Sequence, residues 1–422
     1  MNVVVWEMGY IMFELLKDNI TEYLKVHMPE LDYSEPLRIS EIGEGTLEED
    51  GDGFLNYVFR VSDGKYRLIV KQGRTEGRRV DFPLSKERNR LEYESMKLRR
   101  AIVPQYVPDV YFYDPENYVF AMEDVSHLKI SRFQLNQSVQ FPKFGKQAAE
   151  YLAKTLFYTS EYYLGTRTFR ELTAHFMNHD MRSIFYTLAF MFQTSDDVPL
   201  GEVLDPEIAS YIEDIVSDPK VICERYKLRE CYMKRGETFI HGDFHTSNIF
   251  AGPDDMKVID MEYTFCGPMA YDIGYLICNF ISQYVCAGFR SFDSAAEQES
   301  FQQYCLDTAV EIVEEFFRQF FNCWNQDAKP IYKGVPGLRQ SLKEEWLKDI
   351  IGFCANSNLG RCAGGIGYPE YDAIDDSAKR IHAKCLSLII DKHLLLHRGE
   401  YSSIRECIRD VTAIAAFYHA NL

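Results

Sequence analysis

The hydrophobic pattern of the chain changes near Glu123, and this change constrains the fold more than any other feature. Before Glu123, apolar residues occur in short runs that end at turn residues, which predicts strands over residues 37–42, 56–61, 66–72, 110–113 and 118–122. Helical patterns over residues 12–28 and 85–101 interrupt this β-rich part. After Glu123 most of the chain shows helical spacing, with short β-like runs at residues 238–240, 249–251 and 257–259. The sequence therefore predicts an α+β fold with a β-rich domain at 1–122 and a mostly helical domain at 123–422.

The charge balance limits the classes of partner that this chain can bind. It has 46 Lys and Arg against 64 Asp and Glu, a formal net charge of −18. Such a surface disfavours nucleic acid and anionic membranes, although a few cations gathered in one cleft can still hold a small polyanion. The most apolar stretch, residues 273–289, is too short and too polar for a membrane span. With no basic segment before the apolar N-terminus, we expect a cytoplasmic protein.

The cysteine pattern indicates thiols rather than disulfides or a metal site. The chain has 11 cysteines, and no two of them form a C-x-x-C motif. The odd number in a long chain predicts buried, reduced thiols.

Two polar loops, each after a short apolar run, carry the residues best suited to chemistry. The first loop contains Asp243 and Asn248 in the pattern H-G-D-x-H-x-x-N, and the second contains Asp260 and Glu262 in the pattern D-x-E. Residues at i and i+2 of an extended segment point the same way, so both acids of the second loop can face one hard cation such as Mg²⁺. A single Asp after a strand more often lies in a solvated turn. The conjunction of both patterns favours phosphoryl transfer.

These loops resemble the catalytic and metal loops of the aminoglycoside and choline phosphotransferase group, small-molecule kinases with a protein-kinase-like fold. Other blocks resemble the 5-methylthioribose kinases within that group, namely Val70-Lys-Gln72, Pro83-Leu84, Met122-Glu-Asp-Val-Ser126 and Gly267-Pro-Met-Ala-Tyr-Asp-Ile-Gly274. The blocks occur in the same order, and the resemblance covers roughly residues 38 to 375. It implies a bilobal kinase with a small β-rich N-terminal lobe and a larger, mostly helical C-terminal lobe. It also implies ATP and Mg²⁺, with the C1 hydroxyl of 5-methylthioribose as the acceptor.

The resemblance assigns roles to the residues of both loops. Asp243 would orient the attacking hydroxyl or accept its proton, so it is also a substrate-binding residue. Asn248, Asp260 and Glu262 would hold the metal. Met261 stands where the methylthioribose branch usually has Pro, and Asn248 stands where that branch usually has Ser.

The resemblance also predicts ATP contacts. Lys71 would hold the α- and β-phosphates and pair with a glutamate of the following helix, either Glu92 or Glu94. The other expected ATP contacts are a glycine loop with an unusual acidic insertion at 44–50 before it, a hinge that reads adenine, and the metal segment: Gly53, Phe54, Glu123, Asp124, Val125, Asp260, Met261 and Glu262.

Arg361 is the expected substrate-binding cation, because the methylthioribose branch has a pair of arginines in this region. Cys362 stands in place of the second arginine, and we expect Cys362→Arg to be tolerated. A surface or helix-end role for Arg361 remains an alternative. For the whole chain, the alternatives are a kinase of another small alcohol and a non-catalytic, nucleotide-binding protein. The branch also implies a homodimer.

Overall fold

The computed structural model describes residues 13–43, 55–76, 83–186, 208–363 and 369–422. The insertion at 44–50 and the predicted ATP contacts Gly53 and Phe54 lie outside these ranges. The chain forms two compact units, Met1–Glu94 with Asp109–Asp124, and Ser95–Pro108 with Val125–Leu422. The predicted α+β class, with a β-rich beginning and a mostly helical remainder, is confirmed.

The first unit contains one antiparallel sheet of five strands in the order β1-β2-β3-β5-β4. The strands are β1 (Arg38–Glu41), β2 (Tyr57–Ser62), β3 (Arg67–Gln72), β4 (Val110–Asp114) and β5 (Val119–Glu123). Helix α1 (Ile20–His27) buries Ile20 and Leu24 in one apolar cluster with Phe59 and Val70 of the sheet. Apolar residues at alternate positions of β2 supply the sheet side of this cluster, as the period of two requires.

Helix α2 (Glu87–Ile102) is shared between the units, because the boundary falls between Glu94 and Ser95. The second unit contains fourteen further helices among the described residues. They are α3 (Ser131–Asn136), α4 (Phe144–Tyr158), α5 (Glu161–Leu164), α6 (Thr166–His175), α7 (His179–Tyr186), α8 (Ala209–Val216), α9 (Pro219–Lys234), α10 (Tyr271–Ala287), α11 (Ala295–Asp327), α12 (Pro330–Lys333), α13 (Leu338–Ala363), α14 (Pro369–Asp372), α15 (Ser377–His397) and α16 (Ile404–Ala420).

Helix α10 lies at the centre of the second unit and packs against α11 and α13. Its sequence is apolar on nearly every side, so almost all of its residues are buried. Its polar members Asp272 and Asn279 are fully buried as well, which requires hydrogen-bond partners inside the protein.

Two small antiparallel sheets beside α10 carry the polar loops. Strand β7 (Thr238–Ile240) pairs with β10 (Phe265–Gly267), and β6 (Lys129–Ile130) pairs with β8 (Ile249–Ala251), which pairs with β9 (Met256–Val258). One turn of 3₁₀ helix, Thr246–Asn248, connects the first loop to β8. The sequence pattern predicted β7, β8 and β9 but neither β6 nor β10.

The helical spacing over residues 143–163 predicts one helix, and this prediction is wrong in one respect, because α4 ends at Tyr158 and α5 begins at Glu161. All eleven cysteines are free thiols and all but Cys223 are buried, which confirms the prediction made from their pattern. Among the described residues, no helix combines the length and the apolar composition that crossing a membrane requires.

Candidate active site

The loop that contains Asp243 begins with a sharp turn at Gly242, directly after β7. Gly242 has a φ of +86°, a conformation that residues with a Cβ adopt at a cost. A Cβ at this position would lie 2.5 Å from the carbonyl oxygen of Tyr263. Position 242 therefore requires glycine for both its conformation and its space.

The Asp243 carboxylate lies among side chains of its own loop. The Asn248 amide donates to Asp243 Oδ2 at 3.2 Å and to the Asp243 carbonyl oxygen at 3.0 Å. His245 Nε2 lies 3.3 Å from Asp243 Oδ1. Burial would raise the pKa of Asp243, but the His245 imidazole and the Arg361 guanidinium outweigh it and hold that pKa well below its usual range. Asp243 is therefore ionised at neutral pH.

Asp272, at the start of α10, holds the backbone just before Asp243. Its two carboxylate oxygens accept hydrogen bonds from the backbone N–H of His241 at 2.6 Å and of Gly242 at 3.0 Å. Burial raises the pKa of Asp272 to about 6, although these two bonds act in the opposite direction. Asp272 belongs to the block of resemblance at 267–274, from which no role was predicted for it. The signal in the sequence is an acidic residue directly before the most apolar stretch, residues 273–289.

His241 also serves the loop structurally. Its Nε2 lies 2.9 Å from the carbonyl oxygen of Ile259, which joins the first polar loop to the second. Burial, with the nearby charge of Arg99, lowers the pKa of His241 to about 4, so the ring is neutral at neutral pH.

Asp260 and Glu262 place carboxylate oxygens within 4.8 Å of one another in the second loop. Asp260 has a φ of +65°, and Glu262 is buried. The Asn178 amide donates to the carbonyl oxygens of Glu262, at 2.7 Å, and of Thr264, at 3.0 Å, which fixes the backbone behind these acids. Two carboxylates this close, with only oxygen donors, fit a hard divalent cation. Met261 between them is fully buried.

Lys71 pairs with Glu92 inside the first unit, which settles the choice between the two glutamates. Lys71 Nζ lies 2.8 Å from Glu92 Oε2, and the side chains are 6% and 0% exposed. Glu94 instead pairs with Arg90 at 2.9 Å and is partly exposed. The buried lysine on β3 thus has the counter-charge that its burial demands.

The predicted hinge, Glu123 to Val125, lies at the end of β5. The backbone N–H groups of its first two residues donate hydrogen bonds to carbonyl oxygens of the first unit. Glu123 donates to the carbonyl of Asp109 at 2.8 Å, and Asp124 donates to that of Arg67 at 3.4 Å. The Asp124 carboxylate lies 3.4 Å from Arg60 Nε. Val125 begins the second unit and is buried.

Arg361 lies near the end of α13, and its guanidinium donates to the Tyr275 hydroxyl. It also lies over the Tyr275 ring, 5.4 Å from the centroid, and its charge lowers the pKa of Asp243. Cys362 is buried, with its sulfur 2.9 Å from the Tyr371 hydroxyl. This burial argues against the expectation that Cys362→Arg is tolerated, because the new guanidinium would take the place of a buried thiol.

Comparison with known proteins places this site in a family. A model of the phosphotransferase enzyme family matches residues 219–307, which include both polar loops. Methylthioribose kinase of Geobacillus sp. (strain WCH70) is 30% identical over 379 residues, covering 88% of this chain and 91% of that protein. Methylthioribose kinase of Bacillus velezensis is 31% identical, covering 86% of this chain and 89% of that protein.

The chain belongs to the methylthioribose kinase family. The methylthioribose kinase of Bacillus pumilus is similar to the same degree, 31% identical over 84% of this chain and 87% of its own length. Among solved structures, choline kinase from Cryptosporidium parvum aligns over 90% of this chain and 97% of its own, with a TM-score of 0.51 and 15% identity. That likeness shows that this member of the methylthioribose kinase family has the fold of small-molecule kinases.

Proposed function

We propose that this protein transfers the γ-phosphate of ATP to the C1 hydroxyl of 5-methylthioribose, a step of methionine salvage. The observation that carries the proposal is the ionised Asp243 carboxylate, held by Asn248 and His245 in a chain about 30% identical to methylthioribose kinases. Phosphoryl transfer depends more on the positioning of the acceptor hydroxyl than on a strong base.

In this reaction Asp243 orients the acceptor hydroxyl through one carboxylate oxygen. Its lowered pKa makes it a weak base, so it takes the proton only as the new P–O bond develops. Arg361 supplies positive charge near Asp243 and opposes the negative charge of the transferring phosphoryl group. These two residues form the proposed acceptor side of the site.

Asp260, Glu262 and Asn248 are the proposed metal ligands. Because the Asn248 amide nitrogen donates to Asp243, its oxygen is the atom offered to a cation. A bound Mg²⁺ would neutralise phosphate charge that otherwise faces these carboxylates.

Lys71, oriented by Glu92, is the proposed ligand of the α- and β-phosphates. The remaining proposed ATP contacts are the glycine loop, the hinge and the metal segment: Gly53, Phe54, Glu123, Asp124, Val125, Asp260, Met261 and Glu262.

We also propose that the protein is a cytoplasmic homodimer, and that each chain has an N-terminal lobe at 1–122 and a C-terminal lobe at 123–422.

A panel of acceptors tests the proposal. Purified protein with ATP and Mg²⁺ is offered 5-methylthioribose, ribose, choline and an aminoglycoside, and ADP release is measured. We expect release with 5-methylthioribose, a sugar 1-phosphate in the phosphorus NMR spectrum, and no turnover in excess chelator. A faster reaction with another alcohol, or no acceptor-dependent release at all, would overturn the assignment.

A further inference from the structure

Arg132, on the short helix α3, is fully buried and reaches the loop between Asp243 and Asn248. Its Nε lies 3.4 Å from the Thr246 hydroxyl oxygen, and its NH2 group donates to Asn279 Oδ1 at 3.2 Å. The same Asn279 oxygen accepts the Thr246 N–H at 3.0 Å and the Thr246 hydroxyl at 2.8 Å. Arg132 therefore joins the 3₁₀ turn of the loop to the central helix α10.

Glu370, on α14, is the counter-charge of Arg132. Arg132 Nε lies 3.3 Å from Glu370 Oε1, and both side chains are 0% exposed. Within the described residues neither Glu370 oxygen has a hydrogen-bond partner, so the ion pair alone compensates this buried carboxylate there. Since desolvation offsets much of the attraction in such a pair, stability alone does not explain a charged pair at this place.

The residue after Glu370 contacts the helix end that carries Arg361. The Tyr371 hydroxyl lies 2.9 Å from Cys362 Sγ, next to Arg361, and 2.7 Å from the Ser387 hydroxyl. Tyr371 is buried. The four-residue helix α14 thus contacts Arg132 through one residue and the end of α13 through the next.

We propose that Arg132 and Glu370 are positioning residues that fix the Asp243–Asn248 loop relative to the end of α13 and hence to Arg361. This inference rests on the proposed function, in which one acceptor hydroxyl meets both Asp243 and Arg361. Both side chains of the pair are 0% exposed, so we place neither of them against a substrate. It acts through Thr246 and Asn279 on one side and through helix α14 on the other.

The test separates positioning from stability by removing the pair in two ways. Arg132→Met and Glu370→Gln each leave one buried charge uncompensated, so both should lower the urea midpoint of unfolding. The double variant Arg132→Met/Glu370→Met replaces the pair by apolar side chains and should recover most of the midpoint. Its kcat should nevertheless stay between about 10-fold and about 100-fold below the parent value, as expected for misplaced reacting groups. KM for 5-methylthioribose should rise, and KM for ATP should change less than about twofold.

Arg398→Met is the matched control. Arg398 is a buried arginine that donates to Asp349 of α13, twelve residues before Arg361, at 2.8 Å and to Glu224 of α9 at 2.9 Å. This variant should lower the urea midpoint as much as Arg132→Met does. Its kcat per folded molecule should stay within about twofold of the parent.

Recovery of kcat together with the midpoint in the double variant would overturn the proposal, because the pair would then be structural only. If the double variant does not fold, Arg132→Lys decides. It keeps the charge beside Glu370 but loses the planar fork that reaches Thr246 and Asn279 together, so kcat should fall. Full activity of that variant would also overturn the proposal. Failure of the parent protein to phosphorylate 5-methylthioribose would instead count against the proposed function, so the two failures are distinguishable.

Discussion

Lys71 in the first unit and Asp243 in the second are both charged side chains proposed to act on phosphate transfer, but the protein compensates them differently. Lys71 lies against the opposite charge of Glu92 at 2.8 Å, and both side chains are almost fully buried. Asp243 is held by the Asn248 amide and by His245, and its side chain remains 16% exposed. The first arrangement fixes the Lys71 ammonium in place, but the stability of the folded protein then depends on Glu92. The second leaves part of a carboxylate open to an acceptor.

The comparison predicts that Asp243 variants lose far more turnover than stability. Asp243→Asn keeps the shape of the side chain but removes its charge, and should lower kcat by between about 10² and about 10⁴. ATP affinity, measured by calorimetry, should be nearly unchanged. The urea midpoint should fall, because the lowered pKa of Asp243 means that its charge stabilises the folded protein. Asp254→Asn, at an exposed aspartate paired with Lys143, is the control and should be silent. Activity of Asp243→Asn within threefold of the parent would remove Asp243 from the mechanism.

The opposite result is expected at the buried pair of the first unit. Glu92→Gln leaves the Lys71 charge buried without its counter-charge, and should lower the free energy of unfolding by about 3–5 kcal/mol and raise KM for ATP. Glu94→Gln removes a partly exposed partner of Arg90 on the same helix, and should cost at most about 0.5 kcal/mol. Equal losses of unfolding free energy in urea titrations of the two variants would show that the buried Lys71–Glu92 pair contributes no more to stability than the partly exposed pair.

Arg361 extends the comparison, because it lies on α13 and its charge acts on Asp243 in the loop after β7. Arg361→Ala should lose about 2–4 kcal/mol of transition-state stabilisation, seen in kcat/KM for the sugar with little change in ATP affinity. Arg361→Lys keeps the charge and should recover part of the loss. A silent Arg361→Ala, together with a better acceptor than 5-methylthioribose, would contradict both its role and the assigned substrate.

The smallest expected effect concerns Asp272 and pH. As the pH falls through about 6, Asp272 gains a proton, and one oxygen becomes a poorer acceptor for the N–H groups of His241 and Gly242. The rate should therefore fall on the acid side of the profile. Asp243 does not change its protonation near that pH, since its pKa lies well below the usual range, so it does not contribute to this fall in rate.

Asp272→Asn does not titrate, so its acid limb should move to lower pH. At pH 8 its rate should be lower by between about 2-fold and about 10-fold, the equivalent of one hydrogen bond. The titration of ATP itself is common to both proteins, so the difference between the two pH profiles isolates Asp272. Identical acid limbs would exclude Asp272 as their source.

The sequence predicted the local features of this protein better than its distant contacts. Strand β2 follows from a period-two pattern, and strands β3 and β5 follow from short apolar runs. The loop of Asp243 follows from a specific local motif. The choice between Glu92 and Glu94 depends on how α2 is rotated against the sheet, which no local pattern fixes. Arg132 escaped notice because its partners Thr246, Asn279 and Glu370 lie far along the chain. Strand β10 has three residues, and its pairing with β7 rather than its composition makes it a strand.

The cysteine distribution has a practical consequence for observing this protein in action. Ten thiols are buried and Cys223, on α9, is exposed. Burial raises the pKa of many of the inner thiols, among them Cys354 and Cys362, so they are protonated and shielded from alkylating dyes. A maleimide fluorophore should therefore attach to the native chain at one place without any cysteine being replaced. The native sequence thus offers a single thiol, on α9, for the attachment of an optical label.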